Sequence, residues 1–227
     1  MRTLTWKPIF SNLREASGEL NSLHEHLQYL AFGKVPDGWD DHYKEYFMRQ
    51  EQKHPLREGG LHVSLAHAYH HLNWAWNVRR TPEERVWHFS DENARRWDRF
   101  PTTKDFADLW LPKAEIKNFD GEIRHRKAFN VTTVRVGVQL ANRKLQILCY
   151  LVAKEVGDTS RWSVRPEGLD ERVGSQPLTE SEFARMMHRI YAEMNSAWNS
   201  RNDKTFVIQR QAVLRRRCFS PFFIVDC

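Results

Sequence analysis

The sequence predicts an α+β fold, in which an N-terminal helical bundle packs on a small antiparallel sheet with one long helix. Two observations lead to this prediction. Apolar residues recur at three- and four-residue steps through the first 112 residues, as they do in amphipathic helices. After residue 130 the period changes to two, and β-branched residues dominate. We therefore divide the chain into an all-helical unit, residues 1–112, rich in His and Trp, and a basic α+β unit, residues 113–227.

Residues 11–32 predict the first helix, with Ser11 as N-cap and Gly33 just beyond the C-terminus. Its apolar face consists of Leu13, Ala16, Leu20, Leu23, Leu27 and Leu30. A second helix follows the turn residues "KVPDG" and places three aromatic side chains on one side, namely Trp39, Tyr43 and Phe47.

The stretch "KHPLREGG" ends the second helix, because Pro and paired Gly interrupt helical structure. A third helix follows, with an apolar face made of Leu61, Leu65, Ala68, Leu72 and Ala75 or Trp76. The sequence "TPEE" then predicts a new start with a capping box between Thr81 and Glu84. Short helices are predicted in "SDENARRW" and "TTKDFADLW".

The second unit begins with a hairpin signal in "NFDGEIR". The alternation in "VTTVRVGVQL" predicts a half-buried strand, "ANRK" a turn, and "LQILCYLVAKEV" a central strand that is apolar on both faces. A capping box of Thr179 with Glu182 starts the long helix. The predicted buried face of that helix is Phe183, Met187, Ile190, Met194 and Trp198. No internal repeat is apparent.

Charge is distributed unevenly between the two halves. Residues 1–115 carry 16 Lys and Arg against 17 Asp and Glu, and residues 116–227 carry 19 against 12. The excess positive charge therefore lies in the C-terminal half, which favours an anionic partner such as DNA, RNA or an acidic protein. Three basic clusters are the candidate nucleic-acid contacts: Arg124, Arg126 and Lys127; Arg143 and Lys144; and Arg215, Arg216 and Arg217.

Several classes of protein are excluded or disfavoured. No apolar run approaches the roughly 20 residues of a membrane helix, and the N-terminus lacks the apolar region of a signal peptide. We therefore expect a cytoplasmic protein that does not bind membranes. The three cysteines form neither a disulfide framework nor a zinc motif. Nucleotide-binding glycine motifs and nucleophile elbows are absent, and no cofactor is expected.

The stretch "LREGGLH" contains Arg57 and His62 with four residues between them, at the start of the third helix. This spacing resembles the signature of HEPN-type ribonucleases, which are helical bundles that cleave RNA without a metal. The resemblance covers six residues. It implies that the arginine stabilises phosphate charge and the histidine transfers the proton.

The stretch "LHVSLAHAYHHLNWAWNVRR" raises a second question about the third helix. His67 and His71 lie one turn apart, so they can present two imidazoles to one metal ion in a hydrolase or nuclease. The alternative is a polar seam in which His, Asn and Trp side chains bond one another inside the bundle. Asn73 and Asn77 favour the seam, because amides are poor zinc ligands.

These observations together favour a non-catalytic interaction protein whose basic C-terminal half contacts nucleic acid or an acidic protein. Two enzymatic alternatives stay open: a metal-independent ribonuclease that uses Arg57 and His62, and a metal-dependent hydrolase with His67 and His71 as ligands. A protein partner or a second copy of the chain is also compatible with the sequence, with Trp6, Trp39 and Trp110 as candidate contacts if they are exposed.

Overall fold

The computed structural model describes residues 4–33, 39–88, 90–101, 128–158, 165–166, 169 and 176–202. The helices of this part of the chain are α1 (Trp6–Phe32), α2 (Asp41–Lys53), α3 (Glu58–Asn77), α4 (Glu83–Val86), α5 (Asp91–Trp97), α6 (Val131–Val156) and α7 (Glu180–Asn199). A 3-10 turn, Ser200–Asn202, continues α7. The segments "TTKDFADLW" and "NFDGEIR" and the predicted boundary at residues 112/113 lie outside the described residues.

The described part of the chain contains no strand, so the prediction of an α+β fold with an antiparallel sheet is wrong and this part is all-helical. Both predicted strands and the turn between them belong to the single helix α6. A step of four residues is also two steps of two, so Val134 and Val138 satisfy both a strand and a helix pattern. The buried stripe continues at helical spacing through Ala141, Leu145, Leu148 and Val152.

Tertiary packing explains why β-branched residues form a helix here. α6 packs against α1 on one side and α7 on another, so it is apolar on more than one face. Strand propensity is about 1 kcal/mol at most per position and is overridden by burial of this size. Asn130 caps the helix by accepting from the amide of Thr133, and Gly157 ends it with a φ of 73°.

The other predicted helices agree closely with the structure. α1 begins at Trp6, five residues earlier than predicted, and ends at Gly33, whose φ of 67° is left-handed. Thr179 and Glu182 form the predicted capping box of α7. All five residues predicted on the buried face of α7 are buried. The capping box predicted in "TPEE" is wrong, because Pro82 is the N-cap of α4 and no side chain caps that helix.

The four long helices run in alternating directions around a shared core. Cys149 donates to the carbonyl of Leu13, and Asn142 donates to Asn21, so α1 and α6 are antiparallel. Buried apolar side chains of α1, α3, α6 and α7 form one continuous cluster. Cys149 lies in this core, and burial raises the pKa of its thiol.

Each end of this bundle is marked by an ion pair between α3 and the α7 region. At the Glu58 end, α3 and α6 begin and α7 finishes: Glu58 pairs with Arg201, whose carbonyl accepts from the amide of Asn130. At the Glu180 end, α7 begins and α3 finishes, because Glu180 pairs with Arg79. The helices α3 and α7 are therefore antiparallel to each other.

Helices α3 and α7 are also related in sequence, which inspection of the sequence did not reveal. Residues 58–80 align with residues 180–202 at a constant offset of 122, and seven of the 23 positions are identical. The identical pairs are Glu58/Glu180, Tyr69/Tyr191, Asn73/Asn195, Ala75/Ala197, Trp76/Trp198, Asn77/Asn199 and Arg79/Arg201. The repeat is inconspicuous because most of the aligned positions differ.

The contacts between α3 and α7 are reciprocal in the same way as the sequence. The hydroxyl of Tyr69 donates to Asn195 at 2.5 Å, and the hydroxyl of Tyr191 donates to Asn73 at 2.7 Å. The two tyrosine rings stack between these bonds, with centroids 5.7 Å apart. Burial raises both tyrosine pKa values, so both hydroxyls stay protonated donors. An approximate two-fold axis therefore relates α3 to α7, as in an isologous interface within one chain.

Candidate nucleic-acid interface

A cavity of about 660 Å³ opens at the Glu58 end of the bundle, where α1, α2 and α3 meet. It is lined by His26, Lys53, His54, Pro55, Leu56, Arg57 and Gly60. Among the described lining residues, two side chains are cations, two are imidazoles, and none is acidic. The cavity is an open depression, and its lining favours an anionic ligand.

The chain break between α2 and α3 positions the basic residues. α2 ends at Lys53, because Pro55 disfavours helical backbone at His54 before it. Arg57 follows in extended conformation as the N-cap of α3 and is exposed. Gly60 packs close to this linker, since a Cβ there would lie 2.9 Å from the end of the Leu56 side chain and would displace it.

The imidazole of His26 is held by a carboxylate. His26 Nε2 bonds Oε2 of Glu51, and Oε1 of Glu51 accepts from the amide of Leu56 at 3.0 Å. The side chain of Glu51 is only 9% exposed, whereas that of His26 is 23% exposed. Phe47 packs edge-on against the imidazole, with ring centroids 4.7 Å apart. A carboxylate acceptor selects the tautomer protonated at Nε2, which leaves Nδ1 as the basic nitrogen of a neutral ring.

The two residues of the HEPN-like pair have different neighbours in the structure. Arg57 lines the cavity, but His62 does not belong to its lining. The imidazole of His62 instead packs against the indole of Trp198, with ring centroids 5.4 Å apart. The assignment of catalysis to Arg57 with His62 stays a prediction, and the histidines that share a cavity with Arg57 are His26 and His54.

A buried ion pair lies beside this region and has a structural role. Glu58 and Arg201 are joined at 2.8 Å, and their side chains are 1% and 6% exposed. The guanidinium of Arg201 lies 3.7 Å from the centre of the Trp198 ring and donates to the carbonyl of Trp198. The pair therefore holds the start of α3 to the end of α7.

The histidines of α3 are placed differently from those of the cavity. His67 Nδ1 lies 3.9 Å from Oε1 of Glu19, and its side chain is exposed. The pKa of His71 is lowered by burial and by its neighbour His70, against the opposing effect of Glu15 and Glu19. Within the described residues, no group of three His, Cys, Asp or Glu side chains is placed to hold a metal ion. The metal hypothesis therefore lacks a third ligand among them.

Polar side chains of α3 do form a seam with the segment that follows α5. His70 bonds the carboxylate of Asp98 at 2.8 Å. Asn73 donates to the carbonyl of Asp98, and Asn77 donates to those of Trp97 and Arg99. The seam hypothesis stays a prediction, because these partners are a carboxylate and backbone carbonyls of another segment and not other His, Asn and Trp side chains of the bundle.

The structure describes one of the three predicted basic clusters, Arg143 with Lys144. Residues 124–127 and 215–217 lie outside the described residues. Arg143 and Lys144 do not lie at a hairpin tip as predicted, but in the middle of α6. Arg143 is exposed, whereas Lys144 forms an ion pair with Glu193 of α7 at 2.6 Å. The charge of Lys144 is therefore partly neutralised within the fold.

Sequence reasoning named one residue of the cavity, Arg57, and missed the others. Lys53 and His54 were interpreted only as part of a chain break. The pairing of His26 with Glu51 had no local signal, because the two residues lie 25 positions apart on different helices. Of the aromatic candidates for a partner surface, Trp6 and Trp39 are half-buried against Phe183 and Phe47, and Trp110 lies outside the described residues.

Comparison of the chain with known protein families, with curated proteins and with solved structures finds no match. Within the described residues, none of the helices combines the length and apolar character required to cross a membrane.

Proposed function

We propose that this chain binds nucleic acid at the Glu58 end of the bundle. The observation that carries the proposal is the cavity there, whose lining, as far as the structure describes it, holds Lys53, Arg57 and two imidazoles and no acidic side chain. The carboxylate of Glu51 already accepts from His26 and from the backbone, and among the described residues it forms no ion pair with Lys53 or Arg57. A phosphate group satisfies this arrangement because it offers several acceptor oxygens to such donors.

Chain connectivity supports the same end. Lys127, the last residue of the first basic cluster, immediately precedes Ala128, and Asn130 bonds Arg201 at the Glu58 end. The chain leaves the described structure at Asn202, also at this end, before it reaches the cluster at 215–217. The segments that carry these two clusters therefore connect to the described structure at the Glu58 end, which favours this end for the proposed interface.

The test compares two variants that each remove one positive charge, at opposite ends of the bundle. Arg57→Gln removes a cation from the cavity. Lys7→Gln removes an exposed cation at the Glu180 end, 3.6 Å from Glu83. Binding of fluorescent single-stranded RNA and DNA is measured by anisotropy over a range of salt concentrations. On single strands, loss of one phosphate contact reduces the salt slope by about 0.7 and weakens binding roughly fivefold at 0.1 M salt.

We expect this effect for Arg57→Gln and no effect for Lys7→Gln. Equal weakening by both variants would mean that net charge, and not the cavity, governs binding. Failure of the full chain to bind either nucleic acid at low salt would reject the proposal and leave an acidic protein as the alternative partner.

A further inference from the structure

We infer that the cavity at the Glu58 end cleaves RNA without a metal ion, with His26 as general base and Arg57 as the group that stabilises charge on the phosphate. This inference rests on the proposed binding of nucleic acid and adds a reaction to it. Its starting point is the juxtaposition of a carboxylate-bound imidazole, a second imidazole and two cations around one cavity.

Binding alone does not explain the environment of His26. A phosphate-binding histidine acts best as a cation with both nitrogens donating to the ligand. Here Nε2 is committed to Glu51, which is itself fixed by the amide of Leu56. The carboxylate holds the ring orientation and stabilises the imidazolium that forms when Nδ1 accepts a proton. This is the arrangement of a general base with its positioning residue.

The reaction that fits these groups is transesterification by the ribose 2′-hydroxyl. His26 Nδ1 accepts the proton of the 2′-hydroxyl while its oxygen forms a bond to the adjacent phosphorus. Arg57 and Lys53 stabilise the negative charge that builds on the non-bridging oxygens. The bond from phosphorus to the 5′-oxygen breaks, and protonated His54 supplies the proton to that leaving oxygen. The products are a 2′,3′-cyclic phosphate and a 5′-hydroxyl, with no external water or metal consumed.

This chemistry restricts the substrate to RNA. DNA lacks the 2′-hydroxyl, so it binds but is not cleaved. The nucleophile must also line up with the departing 5′-oxygen, which the regular geometry of a duplex prevents. Flexible single strands reach this alignment, so single-stranded RNA is the expected substrate class.

The experiment uses the full chain in EDTA with a fluorescent single-stranded RNA, and the same sequence as 2′-O-methyl RNA measures binding. We expect cleavage of the RNA to products with a 2′,3′-cyclic phosphate. His26→Gln should slow cleavage by roughly 100-fold or more, in line with loss of a general base, while affinity for 2′-O-methyl RNA is retained. Exogenous imidazole should restore part of the activity of His26→Ala. The matched control is His67→Gln, an exposed histidine on α3 outside the cavity.

Two further variants separate the roles of the neighbours. Glu51→Gln should lower kcat with little change in affinity, because it weakens the positioning of His26 without removing a phosphate contact. His54→Gln should slow cleavage of ordinary RNA but not of RNA with a 5′-thiolate leaving group, which departs without a proton. Thermal unfolding of each variant shows whether a loss of activity reflects a loss of fold.

The outcomes distinguish this inference from the proposal beneath it. If the chain binds 2′-O-methyl RNA but leaves RNA intact, the inference fails and nucleic-acid binding stands. If the chain binds neither 2′-O-methyl RNA nor ordinary RNA, both the inference and the proposed binding of nucleic acid fail. Cleavage that survives His26→Gln but disappears in His62→Gln would also overturn the inference, in favour of the Arg57–His62 pair.

Discussion

The two ends of the bundle are built from the same three residue types but differ in exposure. At each end an arginine lies over a tryptophan three residues before it and pairs with the first glutamate of the opposite helix. At the Glu58 end the glutamate and arginine side chains are 1% and 6% exposed, and at the Glu180 end they are 31% and 16% exposed. We call this Glu–Arg–Trp cluster a clamp. It joins α3 to the α7 region at both ends and is more deeply buried at the Glu58 end.

The difference between the ends lies in what surrounds the clamp. At the Glu180 end, Arg80 adds a second cation 2.7 Å from Glu180. Partial burial raises the pKa of Glu180, but hydrogen bonds and charges of Arg80 and Arg79 outweigh it, so the pKa is lowered overall. At the Glu58 end, the cations Lys53 and Arg57 instead line the cavity, next to the pair of Glu58 with Arg201. The basic residues of the candidate site, Lys53, His54 and Arg57, therefore lie just before the repeated segment 58–80 and not within it.

The largest effect is expected from breaking the buried clamp. Glu58→Ala leaves Arg201 in a buried position without its carboxylate, and removal of one partner of a buried pair costs about 3–5 kcal/mol. We expect a loss of this size in the free energy of unfolding, measured by urea titration followed by tryptophan fluorescence. A loss below about 1 kcal/mol would show that water reaches the guanidinium, contrary to its burial here.

An intermediate effect tests the two-fold relation directly. Tyr69→Phe and Tyr191→Phe each remove a buried hydroxyl and leave the oxygen of Asn195 or Asn73 without that donor. A buried group that loses its partner costs about 1–3 kcal/mol. Because the two bonds are equivalent by the repeat, the two variants should lose similar stability in urea titrations. A large effect of one and none of the other would argue against equivalence.

The smallest effect is expected at the exposed clamp. Glu180→Ala, the match of Glu58→Ala, should cost about 0–1 kcal/mol, as exposed ion pairs do. The pKa of Glu180 is lower in the folded state than in the unfolded chain. The contribution of Glu180 to the free energy of unfolding is therefore present above about pH 4.5 and is lost as the pH falls through the pKa of the folded state. Glu180→Ala should therefore reduce the loss of stability on acidification, measured by thermal unfolding at pH 3–7. A loss as large as that of Glu58→Ala would remove the contrast between the ends.

Much of the helical structure was predictable from local sequence, and the site was not. The leucine stripe of α1 and the capping box at Thr179 depend on residues within one or two turns of each other. The region of α6 was predicted as two strands because Val134 and Val138 fit either period. The cavity was missed because His26, Glu51 and Arg57 become neighbours only when three helices assemble.

The sequence by itself determined the C-terminal ends of α1 and α2, the capping box of α7 and the apolar faces of α1, α3 and α7. Those features arise from hydrogen bonds and side-chain spacing within a few residues, which any chain with this sequence repeats locally. Only the tertiary structure decided that α6 is a helix, that Tyr69 meets Asn195, and that Glu51 holds His26 beside Arg57. These outcomes depend on burial and pairing between residues distant along the chain, and neither periodicity nor composition specifies such partners.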